Sequence, residues 1–141
     1  MAQENLEQQI EELKVKCDEY LNGWKRERAD FLNYKKEEGE RIGTLAKFAN
    51  EELLLNILPV LDHLLLASAH IKDDGLDMVI KQFQDFLSKE GIEPIEVAGK
   101  NFDPNIMDAV EGEGEKVSEE LQKGYTLHGK IIRPARVKLT K

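Results

Sequence analysis

The chain has 141 residues, a length that suits one domain of ordinary size. Its 28 acidic side chains outnumber 20 basic ones, for a net charge of -8. That excess sets aside sequence-independent binding to nucleic acid, which needs a basic face to displace counterions, and it disfavours an anionic membrane surface equally.

The first residues, MAQENLEQQIEEL, have neither the basic start nor the apolar core of a secretory signal, and they are too acidic for a transit peptide. Cys17 is the only cysteine, which excludes an intrachain disulfide and suits a reducing compartment. A bacterial cytoplasm is the expected location, ahead of an organelle matrix.

From Leu6 the apolar residues alternate steps of four and three: Leu6, Ile10, Leu13, Cys17, Tyr20 and Trp24. This is the seam of a coiled coil, and it calls for a partner helix. After Trp24 the period lengthens, with Tyr20, Phe31, Ile42 and Leu53 eleven residues apart. An eleven-residue repeat relaxes the left-handed supercoil. Glu27, Glu38 and Arg41 occupy strict heptad seam sites, so the middle of the rod should pair loosely. A helix from about Gln3 to Asn50 would be ~70 Å long at 1.5 Å per residue. This chain is too short to cover such a stripe, so a parallel homodimer is expected.

Two amphipathic segments follow. NILPVLDHLLLASAH carries Ile57, Leu58, Leu61, Leu64, Leu65 and Ala69. Its apolar run is interrupted by Asn56, Pro59, Asp62 and His63 and is shorter than the ~20 residues of a membrane span. It reads as buried helix, with Pro59 in a first turn or at a kink. KDDG is turn chemistry, with Asp73 or Asp74 as the helix cap. LDMVIKQFQDFLSKE then places Leu76, Val79, Ile80, Phe83, Phe86 and Leu87 on one face and stops at Gly91. Two such helices make a poor core alone, whereas two chains would make a four-helix bundle. The rod seam through Phe31 and Ile42, with Leu61, Leu64 and Phe83 of the helix pair, supplies the candidate dimer contacts.

Beyond Gly91 the texture is β. IEPIEVAG alternates, FDP is a turn, IMDAVEGEG reads as a strand entering a glycine-rich hairpin, and YTLHG, KIIRPA and RVKL read as strands. A small, mostly antiparallel domain is expected. The fold class is therefore α+β, in three parts: a coiled-coil helix over 1–52, a short-helix pair over 53–91 that forms a dimeric four-helix bundle, and a β domain over 92–141.

Catalytic and metal signatures are sparse. His63 and His70 lie seven apart, not at the four-residue spacing of a helical metal pair. Cys17 sits on the seam with no base beside it. GEGEKV lacks the third glycine of a phosphate loop, and Glu111, Glu113 and Glu115 would repel phosphate. No metal, cofactor or small-molecule ligand is expected, and no enzymatic activity.

FDPNIMDAV at 102–110 and GYTLHGKIIRPARVKL at 124–139 resemble the signature of the GrpE family. ADFLNYKK at 29–36 and ILPVLDHL at 57–64 are similar to the family's rod and bundle segments, in the same order. The resemblance implies a nucleotide exchange factor for a DnaK-type chaperone: a parallel dimer of long helices, a four-helix bundle and a β wing that docks on the chaperone's ATPase domain. It implies chaperone contacts at Lys35 and Lys36 on the rod, at Phe48 and Gly75, and at Val110, Leu121 and Leu139 in the wing. From the residues alone, the three wing positions read equally as β-core residues and the two lysines as solvated charges. It also implies a rod whose loosely paired middle melts early and slows exchange on heating. The alternative is a coiled-coil holdase or scaffold dimer, as in prefoldin-like chaperones, though those have helices at both chain ends.

Overall fold

The computed structural model describes all 141 residues. In chain order the elements are α1 (Ala2–Phe48), α2 (Glu51–His70), α3 (Asp74–Lys89), β1 (Ile92–Pro94), β2 (Met107–Glu111), β3 (Lys116–Gln122), β4 (Tyr125–Leu127), β5 (Lys130–Arg133) and β6 (Ala135–Thr140). They form two units, Met1–Ala46 and Lys47–Lys141. The fold is α+β, with a long N-terminal helix followed by a helix pair and small sheets.

α1 is continuous through Gly23, Gly39 and Gly43 and buries none of its side chains. Its apolar seam is therefore entirely unpartnered within the chain. Local pairs decorate it: Arg41 holds Glu38, and Arg28 lies 5.5 Å from the Trp24 ring.

α2 and α3 pack on each other and on the first sheet. Pro59 lies within α2, beyond its first turn, where it removes the bond that its N–H would make to Leu55. Asp73 caps α3 by accepting a hydrogen bond from the Leu76 N–H at 3.0 Å. One core gathers Leu54, Leu58 and Leu61 of α2, Ile80 and Leu87 of α3, Ile92, Tyr125 and Leu127. The helical stretch 2–70 passes the length and composition test for a membrane span. Its apolar residues are concentrated in α2, whose Leu54, Leu58 and Leu61 are buried in this core.

The β part is mostly antiparallel, as expected, but one of its strand pairings is parallel. It consists of two three-stranded sheets, β1-β4-β5 and β2-β6-β3. In the second sheet β2 runs parallel to β6 and β3 antiparallel to it. The expected hairpin at GEGEK is therefore absent: β2 and β3 flank β6 from opposite sides, and residues 112–115 cross the end of β6. A Cβ on Gly112 would lie 2.1 Å from the Leu139 carbonyl oxygen, and one on Gly114 would lie 2.0 Å from that of Thr140. Only glycine lets the backbone pass so closely, and both sites have positive φ. On β6, Ala135, Val137 and Leu139 point inward and Arg136, Lys138 and Thr140 outward. The inward set joins Val97, Met107 and Val117 in the second core.

Candidate docking site

The helix pair and the sheets are fastened together by polar contacts at several points. Arg133 of β5 forks onto Asp62 of α2 with bonds of 2.7 and 2.8 Å, and the side chains are only 14% and 17% exposed. The same guanidinium donates to the Lys123 carbonyl at 3.0 Å, and Gln122 donates to Asp62 at 3.0 Å. Such a charge-assisted fork fixes orientation as well as distance. At the start of α2, Lys130 reaches Glu51 at 3.3 Å and lies over the Phe48 ring at 5.1 Å. His128, in the turn between β4 and β5, meets Phe48 edge-on at 6.3 Å. Phe48 thus packs within its own chain, half-buried.

Between α2 and the outer face of the β2-β6-β3 sheet lies an open groove of about 510 Å³. Leu65, Leu66 and Ala69 line its helical side, and Val110, Leu121 and Arg136 line the sheet side. Val110 and Leu121 are both bulge residues. The register with β6 slips between Ala109 and Glu111 on β2, and again between Glu120 and Gln122 on β3. A bulge turns a side chain out of the regular alternation, and these two are 42% and 43% exposed. Sequence patterning could not find the bulges, because the extra residue is defined only by its partner strand.

The other sequence-derived positions divide. Leu139 is buried in the sheet core, so its side chain is not a surface contact. Leu61 is fully buried within its own chain, and Leu64 and Phe83 pack half-buried on the same core. Leu61 corrects the expectation that it faces a second chain: it is enclosed in the core that α2 shares with α3 and the first sheet. The exposed apolar residues of the helix pair are instead Leu53, Val60 and Leu66 of α2 and Met78, Val79 and Phe86 of α3. Leu6, Ile10, Leu13, Tyr20, Trp24, Phe31 and Ile42 are all exposed along α1, as is Cys17. Lys35 lies 5.6 Å from the Phe31 ring one turn away, and Lys36 is exposed. A Cβ at Gly75 would lie 2.9 Å from Asp73 Oδ1, the atom that caps α3. His63 stands on the groove, and no three His, Cys, Asp or Glu side chains converge as metal ligands.

Tyr125 is buried, and its hydroxyl has no hydrogen-bond partner. Burial pushes that hydroxyl up to about 12. The Arg133 guanidinium opposes the shift, and the Asp62 and Glu120 carboxylates add to it.

A charged helix with an open seam, and a sheet braced on a helix pair above a shallow groove, define a protein built to bind other proteins through extended faces. The GrpE family model matches residues 1–141, and this chain belongs to the GrpE family. The Protein GrpE of Bacillus velezensis is 40% identical over 97% of this chain and 79% of its own length. That of Methanothrix thermoacetophila is 37% identical, covering 96% and 79%, and that of Bacillus subtilis is 37% identical, covering 96% and 80%.

Proposed function

We propose that this chain is the nucleotide exchange factor of a DnaK-type chaperone and works in protein folding and the stress response. Membership of the GrpE family supports the role. It acts by binding, and makes or breaks no covalent bond. The chaperone's ATPase domain closes over ADP. A factor that binds the open form better must weaken ADP binding by the same ratio. A thousandfold loosening requires ~4 kcal/mol of difference between its contacts to the two forms. A wedge can supply this only if it does not follow the cleft as it closes.

The observation that carries this reading is the fastening of the sheets to α2. The Asp62–Arg133 fork and the Lys130–Glu51 pair tie α2 to β5 at two separated points of one unit. Val110 and Leu121 stand exposed on that unit and serve as the chaperone contacts. Lys35 and Lys36 supply a basic contact on the rod. The open seam of α1 and the exposed apolar residues of α2 and α3 make the working form a homodimer. Its functional parts are the rod at 1–52, the helix pair at 53–91 and the β wing at 92–141. The cytoplasm is the setting.

Stopped-flow release of a fluorescent ADP analogue from a purified DnaK-type ATPase domain tests the reading. Acceleration by orders of magnitude is expected, with most of it lost in Leu121→Glu. No acceleration with a cognate domain would leave a coiled-coil scaffold. Gly75→Asp is a poor probe, because any side chain there presses on the Asp73 cap.

A further inference from the structure

We propose that residues 128–130, at the β4–β5 turn, are a clasp on the joint between α1 and α2, and that His128 and Lys130 are positioning residues for nucleotide exchange. They stiffen the mounting of the sheets and do not touch the chaperone. This rests on the exchange-factor reading and names the residues that keep the wedge from yielding.

The joint has no local cause. α1 ends at Phe48 and α2 begins at Glu51, with only Ala49 and Asn50 between them. The stretch LAKFANEELL at 45–54 holds no proline, glycine or serine, the usual sources of a helix break. Alanine is the strongest helix former, and the Asn50 side chain makes no capping bond. The break is therefore held from outside the segment, and the clasp touches both sides of it. Lys130 lies over the Phe48 ring at 5.1 Å and reaches Glu51 at 3.3 Å. His128 meets the Phe48 ring edge-on at 6.3 Å.

The turn is pinned at a third place, the exit of α3. The His128 N–H donates to the Gly91 carbonyl at 2.9 Å, and a Cβ on Gly91 would lie 2.6 Å from His128 Nδ1. Only glycine admits the imidazole so close. The residue type points the same way. His128 and Gly129 form a two-residue hairpin loop with φ of 47° and 83°. Such a loop favours Asn, Asp or Gly at its first position. His128 is the only residue other than glycine with a positive φ. A side chain persists in that conformation where its surroundings determine it, and the surroundings of this ring are Phe48 and Gly91.

Each contact is weak alone, the ion pair being partly exposed. Together they tie the end of α1, the start of α2 and the exit of α3 to one short turn. Stiffness has its own kinetic signature. The docking face sets the affinity for the chaperone, whereas the maximal rate depends on how much better the factor binds the open form than the closed one. Sheets that give on their mounting would bind both forms alike, so affinity would stay and acceleration would fall.

Stopped-flow ADP release, titrated with the full-length protein, tests this. His128→Asn keeps a favoured hairpin residue and removes the ring. Lys130→Glu sets like charges together, and adding Glu51→Lys restores the pair with its signs exchanged. His128→Asn and Lys130→Glu should each lower the maximal acceleration about fivefold and keep the half-maximal concentration within about twofold. Glu51→Lys should recover most of the loss in Lys130→Glu, a rescue that general destabilisation does not give. A rise in the half-maximal concentration, with or without a lower maximum, would make these residues contacts of the chaperone and overturn the proposal. If the wild type accelerates release and the variants match it, the clasp fails and the exchange reading stands. If the wild type does not accelerate release, the exchange reading fails, and amide hydrogen exchange decides the clasp. Residues 47–54 should then exchange about tenfold faster in His128→Asn, while 135–140 keep their protection. Equal exchange in the two proteins, or faster exchange in both segments, would overturn it.

Discussion

Tyr125 is a polar side chain whose hydroxyl is buried without a partner, in a core that is otherwise aliphatic. An unpaired buried donor costs about 1–3 kcal/mol relative to one in water. The ring packs in the first core and carries the Arg133 guanidinium at 5.2 Å, so its body contributes while its tip does not. Tyr125→Phe is therefore expected to be neutral, or to stabilise by about 1 kcal/mol, in urea denaturation at pH 7. The alkaline limb separates the variants further. Burial raises the folded value to about 12, above the ~10 of an unfolded chain. The folded state then holds the proton more tightly than the unfolded one. The contribution is complete below pH 10 and is lost as pH rises through about 12. The wild type should lose stability faster than Tyr125→Phe across that window. Identical alkaline limbs would show that the hydroxyl is solvated.

At the scale of elements, the loop over β6 determines whether the second sheet can form. β2 and β3 are consecutive in the chain yet separated by β6, and only four residues, 112–115, connect them. Gly112→Ala and Gly114→Ala each drive a Cβ into a strand carbonyl at a positive φ. Each should cost about 3 kcal/mol or more in thermal or urea unfolding, well above an ordinary strand glycine. Gly99→Ala is the control: φ there is also positive, but no atom lies within 4 Å. It should cost about 1 kcal/mol.

This loop also shows where the sequence was legible. VEGEGEKV carries every local sign of a hairpin, and local signs cannot report a third strand arriving from residue 135 onward. The helices were readable because their signal is periodic and local, down to the Asp73 cap and the stop at Gly91. Leu61 was misread because α2 is apolar on more than one side, and only the tertiary contact says which side is covered. The Asp62–Arg133 fork spans 71 residues and carries no motif. The candidate site was half visible: Val110 and Leu121 came through resemblance, whereas Arg136 emerged only once the strand register was known.

For the whole molecule the open question is what holds α1. It spans 47 residues with no buried side chain. A lone helix of mixed composition gains little from propagation, and Gly23, Gly39 and Gly43 each subtract ~1 kcal/mol relative to Ala. In the proposed homodimer a second copy covers its seam, and each fully buried Leu, Ile or Phe then contributes about 1.5–3 kcal/mol. The helicity of α1 should therefore depend on concentration. Trp24 is the only tryptophan and lies in this helix, and Tyr125 lies in the other unit's core. Tryptophan fluorescence thus reports the rod, and tyrosine near-ultraviolet dichroism, after subtraction of a Tyr125→Phe control, reports the second unit. On heating, the Trp24 signal and the first loss of ellipticity at 222 nm should precede the Tyr125 signal, because Glu27, Glu38 and Arg41 weaken the middle of the seam. Dilution should lower that first midpoint. Leu13→Glu should lower it further and weaken association by at least tenfold, while the unit spanning 47–141 keeps its own core. Coincident transitions, unmoved by dilution or by Leu13→Glu, would mean that the seam is not what pairs the chains.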